Sequence, residues 1–427
     1  MTDTTAFTLT ADQNKYVPPG TAEMAAVLSV DCRTTETAAA EVAEVIVIDR
    51  SPSMGGPKLA EAKRAAKAAL DALREDAHFA IVAGGHDATQ LYPGDGGLAT
   101  AEAKHRKAAA LAIDKMTLGN LTYTGVWLRC AADLLATRPG AIGHVLLLTD
   151  GMVNQDDRSY NADLAYCEGK FACDAVGIGI DWDPDQLKQI ADRFQGTRAF
   201  IEDLADLTDY FTEVCGKAMG KAFGDVAILV KTPADVAIAS LRQVYPTLQD
   251  LAGHRRDLDG RTALFPLAAW GNESREYMLD VTGPAWRVGE EIRAAQVLLV
   301  RGPDNEVLAR ANLLMCWTDD PVLNTEVNAK VAVHTGQVQL AEEVRTGLAA
   351  LRSGDAPTAT QHFATARTLA EQAGNQATAR LIDRIIDFDP GTGTARLKQG
   401  ITEADRLQLD VGTDVTVRTP TTRTELT

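Results

Sequence analysis

The sequence predicts an α/β fold for the middle of the chain, in which parallel strands and helices alternate in a doubly wound, Rossmann-like layer. Two apolar runs, residues 45–48 and 144–149, have the composition of strands that are buried on both faces of a sheet. Helix-forming stretches alternate with these runs and with further short apolar segments. Because this alternation is typical of doubly wound sheets, we place the α/β domain at residues 41–222.

The elements of this domain can be placed in order from periodicity and from breaker residues. Pro57 favours the start of a helix, since proline is tolerated in the first helical turn. Gly177 and Gly179 lie in a predicted strand and, without a third glycine or a P-loop lysine, indicate close packing rather than a nucleotide loop. The predicted helices are 57–74, 99–116, 124–137, 184–194 and 204–221, and the predicted strands are 45–48, 78–83, 89–92, 144–149, 174–180 and 198–201.

Short strands are predicted on both sides of the α/β domain. Residues 1–40 alternate apolar and polar side chains, and residues 223–320 contain several runs of the same kind. The runs in the second flank are 226–231, 263–268, 276–281, 295–301 and 307–315. This pattern is typical of a β-sandwich, so the α/β domain is predicted to be inserted into a sandwich that both flanks form together.

The C-terminal part of the chain changes character twice. Residues 321–390 have a helical pattern and predict a small helical arm, whereas residues 391–427 are poor in aromatics and predict a disordered, threonine-rich tail. One interpretation of the tail is a solubilising segment. The alternative hypothesis is that a Ser/Thr kinase phosphorylates Thr419, Thr422 or Thr424, and that a phosphothreonine-binding protein recognises the phosphate.

Asp49, Ser51 and Ser53 follow the first apolar strand of the α/β domain directly. Ligands bind at the carboxyl ends of strands in open α/β sheets, because loops from several strands converge there. On their own, these three residues fit a helix cap or a turn equally well. Two later stretches favour a site: a second apolar strand ends in Asp150, and a glycine-containing loop with two threonines precedes a predicted helix.

Together these stretches resemble the von Willebrand factor type A (VWA) domain of bacterial proteins, with its metal-ion-dependent adhesion site (MIDAS). The resemblance covers roughly residues 41–220 and implies that one divalent cation is surrounded by an Asp-x-Ser-x-Ser loop, a threonine and a further aspartate. The residues that it implicates are Asp49, Ser51, Ser53, Thr122 and Asp150. Thr122 is preferred to Thr124, because family members commonly have this threonine three residues before a glycine that opens a helix, here Gly125.

The implicated side chains are all oxygen donors. A set without histidine or cysteine suits a hard cation, so Mg²⁺ is expected, with Mn²⁺ or Ca²⁺ as alternatives, and zinc or copper is disfavoured. Hydroxyls are neutral ligands and leave the cation electron-poor, and the resemblance implies that a partner protein supplies an Asp or Glu carboxylate to it. We therefore expect a protein-binding or scaffold protein rather than an enzyme, with Tyr123, Trp127 and Met54 flanking the cation. Core packing explains Trp127 equally well.

Two other functions remain open at the level of sequence. A metal-dependent hydrolase or phosphoryl-transfer enzyme would use Asp49, but the loops offer only Arg50 as an additional charged group, and no Ser-His-Asp spacing is present. An adaptor for an AAA+ ATPase is a role known for some bacterial members of the family. No residue in the sequence selects it.

Composition limits the class of partner. The chain has 427 residues and a formal net charge of −17, which argues against nucleic acid and anionic membranes as general partners. The first residues show no signal-peptide pattern and no apolar run is long enough to span a membrane, so we expect a cytoplasmic location. The six scattered cysteines are interpreted as small apolar residues rather than as disulfides or a zinc site.

Overall fold

The computed structural model describes residues 5–34, 40–389 and 391–418. These residues form two compact units, each with its own core. Within the described residues, the first unit contains 34–225 together with 267–272, and the second contains 6–33, 226–266 and 273–418. The first unit therefore interrupts the second in sequence.

The strands of the described residues occur in both units. In chain order they are β1 (Thr5–Gln13), β2 (Tyr16–Val17), β3 (Glu23–Thr34), β4 (Val42–Asp49), β5 (His78–Gly84), β6 (Ala88–Tyr92), β7 (Ala99–Thr100), β8 (Ile142–Thr149), β9 (Ala172–Ile178), β10 (Arg198–Ile201), β11 (Val226–Lys231), β12 (Ala237–Tyr245), β13 (Gln249–Asp250), β14 (Arg256–Asp259), β15 (Thr262–Pro266), β16 (Glu273–Thr282), β17 (Glu291–Arg301), β18 (Glu306–Trp317), β19 (Ile386–Asp389) and β20 (Thr394–Leu397).

The helices follow the same numbering. They are α1 (Pro57–Ala72), α2 (Ala103–Asp114), α3 (Thr124–Leu135), α4 (Asp157–Cys167), α5 (Pro184–Arg193), α6 (Leu207–Met219), α7 (Pro321–Asn324), α8 (Ala329–Ser353), α9 (Ala356–Gln372), α10 (Gln376–Ile385) and α11 (Glu403–Gly412). In the part of the chain that the structure describes, no helix combines the length and the apolar character that crossing a bilayer requires.

The first unit is the predicted doubly wound α/β layer. Its sheet has the order β10-β9-β8-β4-β5-β6, in which β4, β5, β8, β9 and β10 are parallel, and β6 and β7 pair with β5 antiparallel. Ile46 and Ile48 of the central strand share one apolar core with α1, α2 and α6. Val45 and Val47 alternate with them, are equally buried and point to the opposite face, where α3 contacts the sheet. The predicted fold class is thus confirmed.

The second unit contains two antiparallel sheets in the region where the sequence predicts a sandwich. Their orders are β1-β3-β16-β12-β13 and β14-β15-β11-β17-β18-β2, with β2 parallel to β18. β3 therefore pairs with β16, and β2 with β18, both of which lie after the α/β unit in sequence. Val281 of one sheet and Ala294 and Met315 of the other line the same narrow cavity, so apolar side chains from both sheets meet between them.

The predicted disorder from Gly391 onwards is wrong for residues 391–418. This segment forms β20, which pairs with β19, and then α11. Leu409 is fully buried in an apolar cluster with residues of α8, α9 and α10, and Leu397 and Ile401 pack against that cluster. Composition failed here because aliphatic side chains at helical spacing supply a core without aromatic residues. Thr419, Thr422 and Thr424 lie outside the described residues.

The sequence also missed some regular elements. Helix α4 begins after Asp156, whose carboxylate accepts a hydrogen bond from the Ser159 backbone N–H as an N-cap. Its polar face hides the helical pattern, because only four of its residues are buried. The predicted helix 99–116 is shorter than expected, since its first residues form β7 instead.

Candidate functional site

Asp49 is the last residue of β4, the central strand, and its side chain is fully buried. The loop that follows turns at once, because the Ser51 backbone N–H donates to Asp49 Oδ1 at 2.7 Å. The backbone of Arg50 fixes the path of this loop. Its N–H donates to the Gly84 carbonyl at 2.9 Å, and its carbonyl accepts from the Gly119 N–H at 2.6 Å. Loops after β4, β5 and α2 are thereby joined at one edge of the sheet.

Three hydroxyl groups converge beside Gly151. A methyl group added at Gly151 would lie 3.3 Å from Thr122 Oγ1, 3.4 Å from Ser53 Oγ and 3.9 Å from Ser51 Oγ. The Ser51 and Ser53 hydroxyls are 3.0 Å apart, and the Ser53 hydroxyl donates to Asp150 Oδ1 at 2.7 Å. A side chain at position 151 would enter the space that these oxygens share.

The loop that carries Thr122 is locked to the loop that follows Asp150. The Thr122 backbone N–H donates to Asn154 Oδ1 at 2.9 Å, and the Asn154 N–H donates back to the Thr122 carbonyl at 2.8 Å. Thr124, the alternative from sequence, is the first residue of α3 and is 1% exposed. Its hydroxyl has no hydrogen-bond partner among the described residues. The structure thus brings Thr122, rather than Thr124, to the other hydroxyls.

Both carboxylates of the site are buried and hydrogen-bonded. Asp49 Oδ2 accepts the Thr149 hydroxyl at 2.7 Å, and burial raises the pKa of Asp49 above its ordinary value. Thr149 was missed from the sequence, although its place directly before Asp150 at the end of β8 puts it beside the end of β4. Two buried carboxylates at one sheet edge favour a cation between or beside them.

Lys58 is a second residue of the site that sequence reasoning missed. Its ammonium lies 2.5 Å from Asp150 Oδ2 and 4.0 Å from Asp181 Oδ2, and its side chain is 21% exposed. Lys58 is the second residue of α1, so the helix that Pro57 opens delivers it to the site. The chain therefore carries its own positive charge against one of the two buried aspartates.

The side chains expected to flank the site separate into core and surface. Met54 and Trp127 are fully buried, and the Trp127 indole N–H donates to the Gly85 carbonyl at 2.7 Å. Met54 and Trp127 are therefore core residues, and only Tyr123 is partly exposed. Their place beside the cation stays a prediction. Arg50, the charged candidate for catalysis, pairs with Asp87 at 2.8 Å.

The chemistry of this edge is that of an oxygen site. Among the described residues, no group of three or more His, Cys, Asp or Glu side chains could hold a metal ion. Three hydroxyls and two carboxylates at Ser51, Ser53, Thr122, Asp49 and Asp150 nevertheless surround one small space. This donor set fits Mg²⁺, Mn²⁺ or Ca²⁺ better than zinc, which favours nitrogen and sulfur.

Comparison with known proteins places the whole chain in one family. A sequence model described as von Willebrand factor type A domain matches residues 43–200, and one described as von Willebrand factor type A C-terminal domain matches residues 368–413. The solved structure of a von Willebrand factor type A protein from Catenulispora acidiphila is 35% identical, covers 98% of each chain and gives a TM-score of 0.93. The chain belongs to the von Willebrand factor type A family. The α/β unit is its VWA domain.

One more distant solved structure shares the fold, and one curated protein matches part of the sequence. The ArnB paralog VWA2 from Sulfolobus acidocaldarius is 14% identical, with a TM-score of 0.62 over 97% of this chain and 100% of the other. An uncharacterized protein from Synechocystis is 24% identical over 212 residues, which are 48% of this chain and 49% of the relative. The match thus spans about half the length of that curated relative. The C-terminal family match includes α11, which is a regular helix in the region where composition predicts disorder.

Proposed function

We propose that this VWA protein is a binding or scaffold protein that grips a partner carboxylate through a divalent cation at a MIDAS. Mg²⁺ is the expected cation, with Mn²⁺ or Ca²⁺ as alternatives. The observation that carries the proposal is the convergence of the Thr122, Ser53 and Ser51 hydroxyls on one point beside Gly151. A bound divalent cation would supply an open position for one anionic oxygen of the partner.

The residues of the chain divide the work between contact and support. Ser51, Ser53 and Thr122 present neutral oxygens, so the positive charge of the cation is only partly compensated on that side. Asp150 accepts a hydrogen bond from the Ser53 hydroxyl and thereby orients it. Asp49 accepts a hydrogen bond from the Ser51 backbone N–H and thereby fixes the serine loop. Neutral contacts backed by buried carboxylates favour an additional negatively charged ligand from outside.

The absence of catalytic activity at this site stays a prediction. Two contacts support binding rather than phosphoryl transfer: the Arg50 guanidinium is engaged by Asp87 at 2.8 Å, and the Lys58 ammonium is engaged by Asp150 at 2.5 Å. The adaptor role beside an AAA+ ATPase and the kinase-dependent role of the tail also stay predictions. A phosphoesterase activity that vanished in Ser51→Ala would instead favour the enzyme.

Gly151→Ala tests the position of the site. The added methyl group points at three hydroxyl oxygens rather than at backbone, so we expect the fold to survive and Mg²⁺ affinity to fall by about tenfold or more. Isothermal titration calorimetry with Mg²⁺ alone measures the change. Gly216→Ala in α6 is the matched control, because no atom lies within 4 Å of its added methyl group. Equal Mg²⁺ affinity in Gly151→Ala and wild type would show that the cation does not bind beside Gly151.

Lys58→Met tests whether the lysine competes with the cation for Asp150. Removing an ammonium 2.5 Å from Asp150 Oδ2 leaves the buried carboxylate without its partner, so we expect Mg²⁺ to bind about tenfold more tightly. The melting temperature should then depend more strongly on Mg²⁺. Lys67→Met on the same helix, where Lys67 pairs with Asp114 at the surface, should leave affinity unchanged. Weaker binding in Lys58→Met would assign the lysine a supporting role instead.

A further inference from the structure

We infer that the partner presents its carboxylate between apolar side chains, because exposed apolar residues lie on the loops beside the proposed cation site. This inference rests on the proposed function and specifies the chemistry of the partner. The surrounding residues, which we name the apolar rim, are Leu118, Leu121, Met152 and Ile180. Their exposed fractions are 45%, 47%, 58% and 52% in that order.

The rim residues lie on the loops that build the site. Leu121 directly precedes Thr122, and Met152 directly follows Gly151, the residue beside which the three hydroxyls converge. Leu118 reaches the serine loop, since its Cδ1 is 3.8 Å from the position of a methyl group on Gly55. Two loops of the site, the one between α2 and α3 and the one after β8, therefore carry exposed apolar side chains next to residues of the site.

Ile180 extends the rim on the side of Lys58. It follows Gly179, and a methyl group on Gly179 would lie 2.9 Å from the Lys58 ammonium. The adjacent Asp181 carboxylate is 4.0 Å from the same ammonium. The Lys58 ammonium thus lies near the exposed Ile180, whereas its partner Asp150 is fully buried.

Exposure of four large aliphatic side chains around one polar centre points to binding rather than to folding. Each side chain leaves about half of its surface in water, so the folded protein gains only about half of the free energy that full burial of these residues would give. Single exposed apolar residues are ordinary, but several on the loops beside one buried polar site are typical of an interaction surface. Burial by a partner would recover the free energy that the fold leaves unused.

The negative net charge of the chain favours apolar rather than acidic residues next to the partner's carboxylate. The chain carries a net charge of −17, so a partner with a run of acidic residues would be repelled by the rest of the surface. One carboxylate is favoured locally by the cation and by the Lys58 ammonium. The best complement is therefore a single Asp or Glu with aliphatic neighbours, which fill the rim while the carboxylate reaches the centre.

Two synthetic peptides that differ only in their flanks test this inference. N-acetyl-Leu-Asp-Leu-amide should bind the Mg²⁺-loaded full chain about tenfold more tightly than N-acetyl-Ser-Asp-Ser-amide, because only the first buries apolar surface on the rim. N-acetyl-Leu-Asn-Leu-amide, which lacks the carboxylate, should bind weakly. NMR titration or calorimetry, with and without EDTA, gives the affinities. Equal binding of the two Asp peptides would overturn the inference.

Variants of the rim separate this inference from the proposed function. Leu121→Ser with Met152→Ser should remove most of the preference for the leucine-flanked peptide and leave Mg²⁺ affinity unchanged, because neither side chain supplies an oxygen. Leu111→Ser is the matched control, since Leu111 is 55% exposed on α2. Loss of Mg²⁺ dependence for every peptide would refute the cation-bridged function, whereas Mg²⁺-dependent binding without flank preference refutes only the rim.

A second copy of the chain is the competing occupant of the rim. Sedimentation of the Mg²⁺-loaded wild type and of the Leu121→Ser, Met152→Ser variant distinguishes the two. A monomer in both samples supports a separate partner. A dimer that the double substitution dissociates would overturn the inference, because the rim would then be buried between identical subunits.

Discussion

Asp150→Asn is expected to lower the affinity for Mg²⁺ by about a hundredfold while the fold persists. Asp150 Oδ1 accepts the Ser53 hydroxyl at 2.7 Å and Oδ2 contacts Lys58 at 2.5 Å, so the carboxylate both orients a hydroxyl and supplies charge. An amide keeps most of the shape but removes the negative charge beside the cation. Calorimetric titration with Mg²⁺ on the variant and on wild type measures the loss.

The control for this substitution is a carboxylate outside the site. Asp114→Asn changes the net charge of the same unit equally, but Asp114 lies at the end of α2 and pairs with Lys67 at the surface. Its Mg²⁺ affinity should match that of wild type. If Asp150→Asn bound Mg²⁺ as tightly as this control, the cation would not use this edge of the sheet.

His144→Asn is expected to destabilise the α/β unit by about 3–5 kcal/mol, since it breaks a buried ionic network. His144 lies on β8 between Glu44 of β4 and Asp174 of β9, with its ring nitrogens 2.8 Å and 3.0 Å from their carboxylates. The Thr197 backbone N–H and hydroxyl also donate to Asp174 at 2.6 Å. Without the imidazolium, the buried Glu44 carboxylate and the largely buried Asp174 carboxylate, on the two strands that flank β8, lose the charge that compensates them.

The pH dependence of this network has a definite sign. Burial alone would lower the pKa of His144, but Glu44 and Asp174 raise it to about 10. A raised pKa in the folded state stabilises the fold fully below the unfolded pKa of about 6.5, and the contribution disappears as the pH rises towards 10. The stability of the unit should therefore decrease over this alkaline range.

Hydrogen exchange at the amides of β8 measures this stability separately from the second unit. Wild type should lose protection between pH 6.5 and 10 after correction for intrinsic exchange, whereas His144→Asn should start lower and change less. His362→Asn is the control, because His362 lies on α9 in the second unit, where Glu343 is 2.6 Å from its Nδ1. Equal pH profiles in wild type and His144→Asn would show that the network is not charged.

Local pattern was sufficient to predict the centre of this protein. The strand at residues 45–48, the alternating Asp49, Ser51 and Ser53, and the helix start at Pro57 follow from neighbours in sequence. These features depend on strand burial, extended spacing and proline geometry, all of which act over a few residues. The doubly wound fold could be predicted for the same reason.

Contacts between distant residues could not be predicted in this way. Lys58 and Thr149 reach the two aspartates only because α1 begins, and β8 ends, at the same edge of the sheet. The opposite error concerned Trp127, which follows the Thr122 loop in sequence but turns into the core, where it contacts Gly84 and Gly85. The direction of the Trp127 side chain depends on how α3 packs against the sheet, and closeness to Thr122 in sequence does not determine it.

Affinity capture from a lysate of the native cells tests whether a partner protein is held through the cation. Wild-type protein with Mg²⁺, wild-type protein with EDTA, and Asp49→Ala with Mg²⁺ would be compared in parallel, after circular dichroism shows that the variant is folded. We expect a partner protein that is retained only by the wild type with Mg²⁺. Equal retention of the same proteins in all three samples would contradict a partner held through a cation at Asp49, Ser51, Ser53, Thr122 and Asp150.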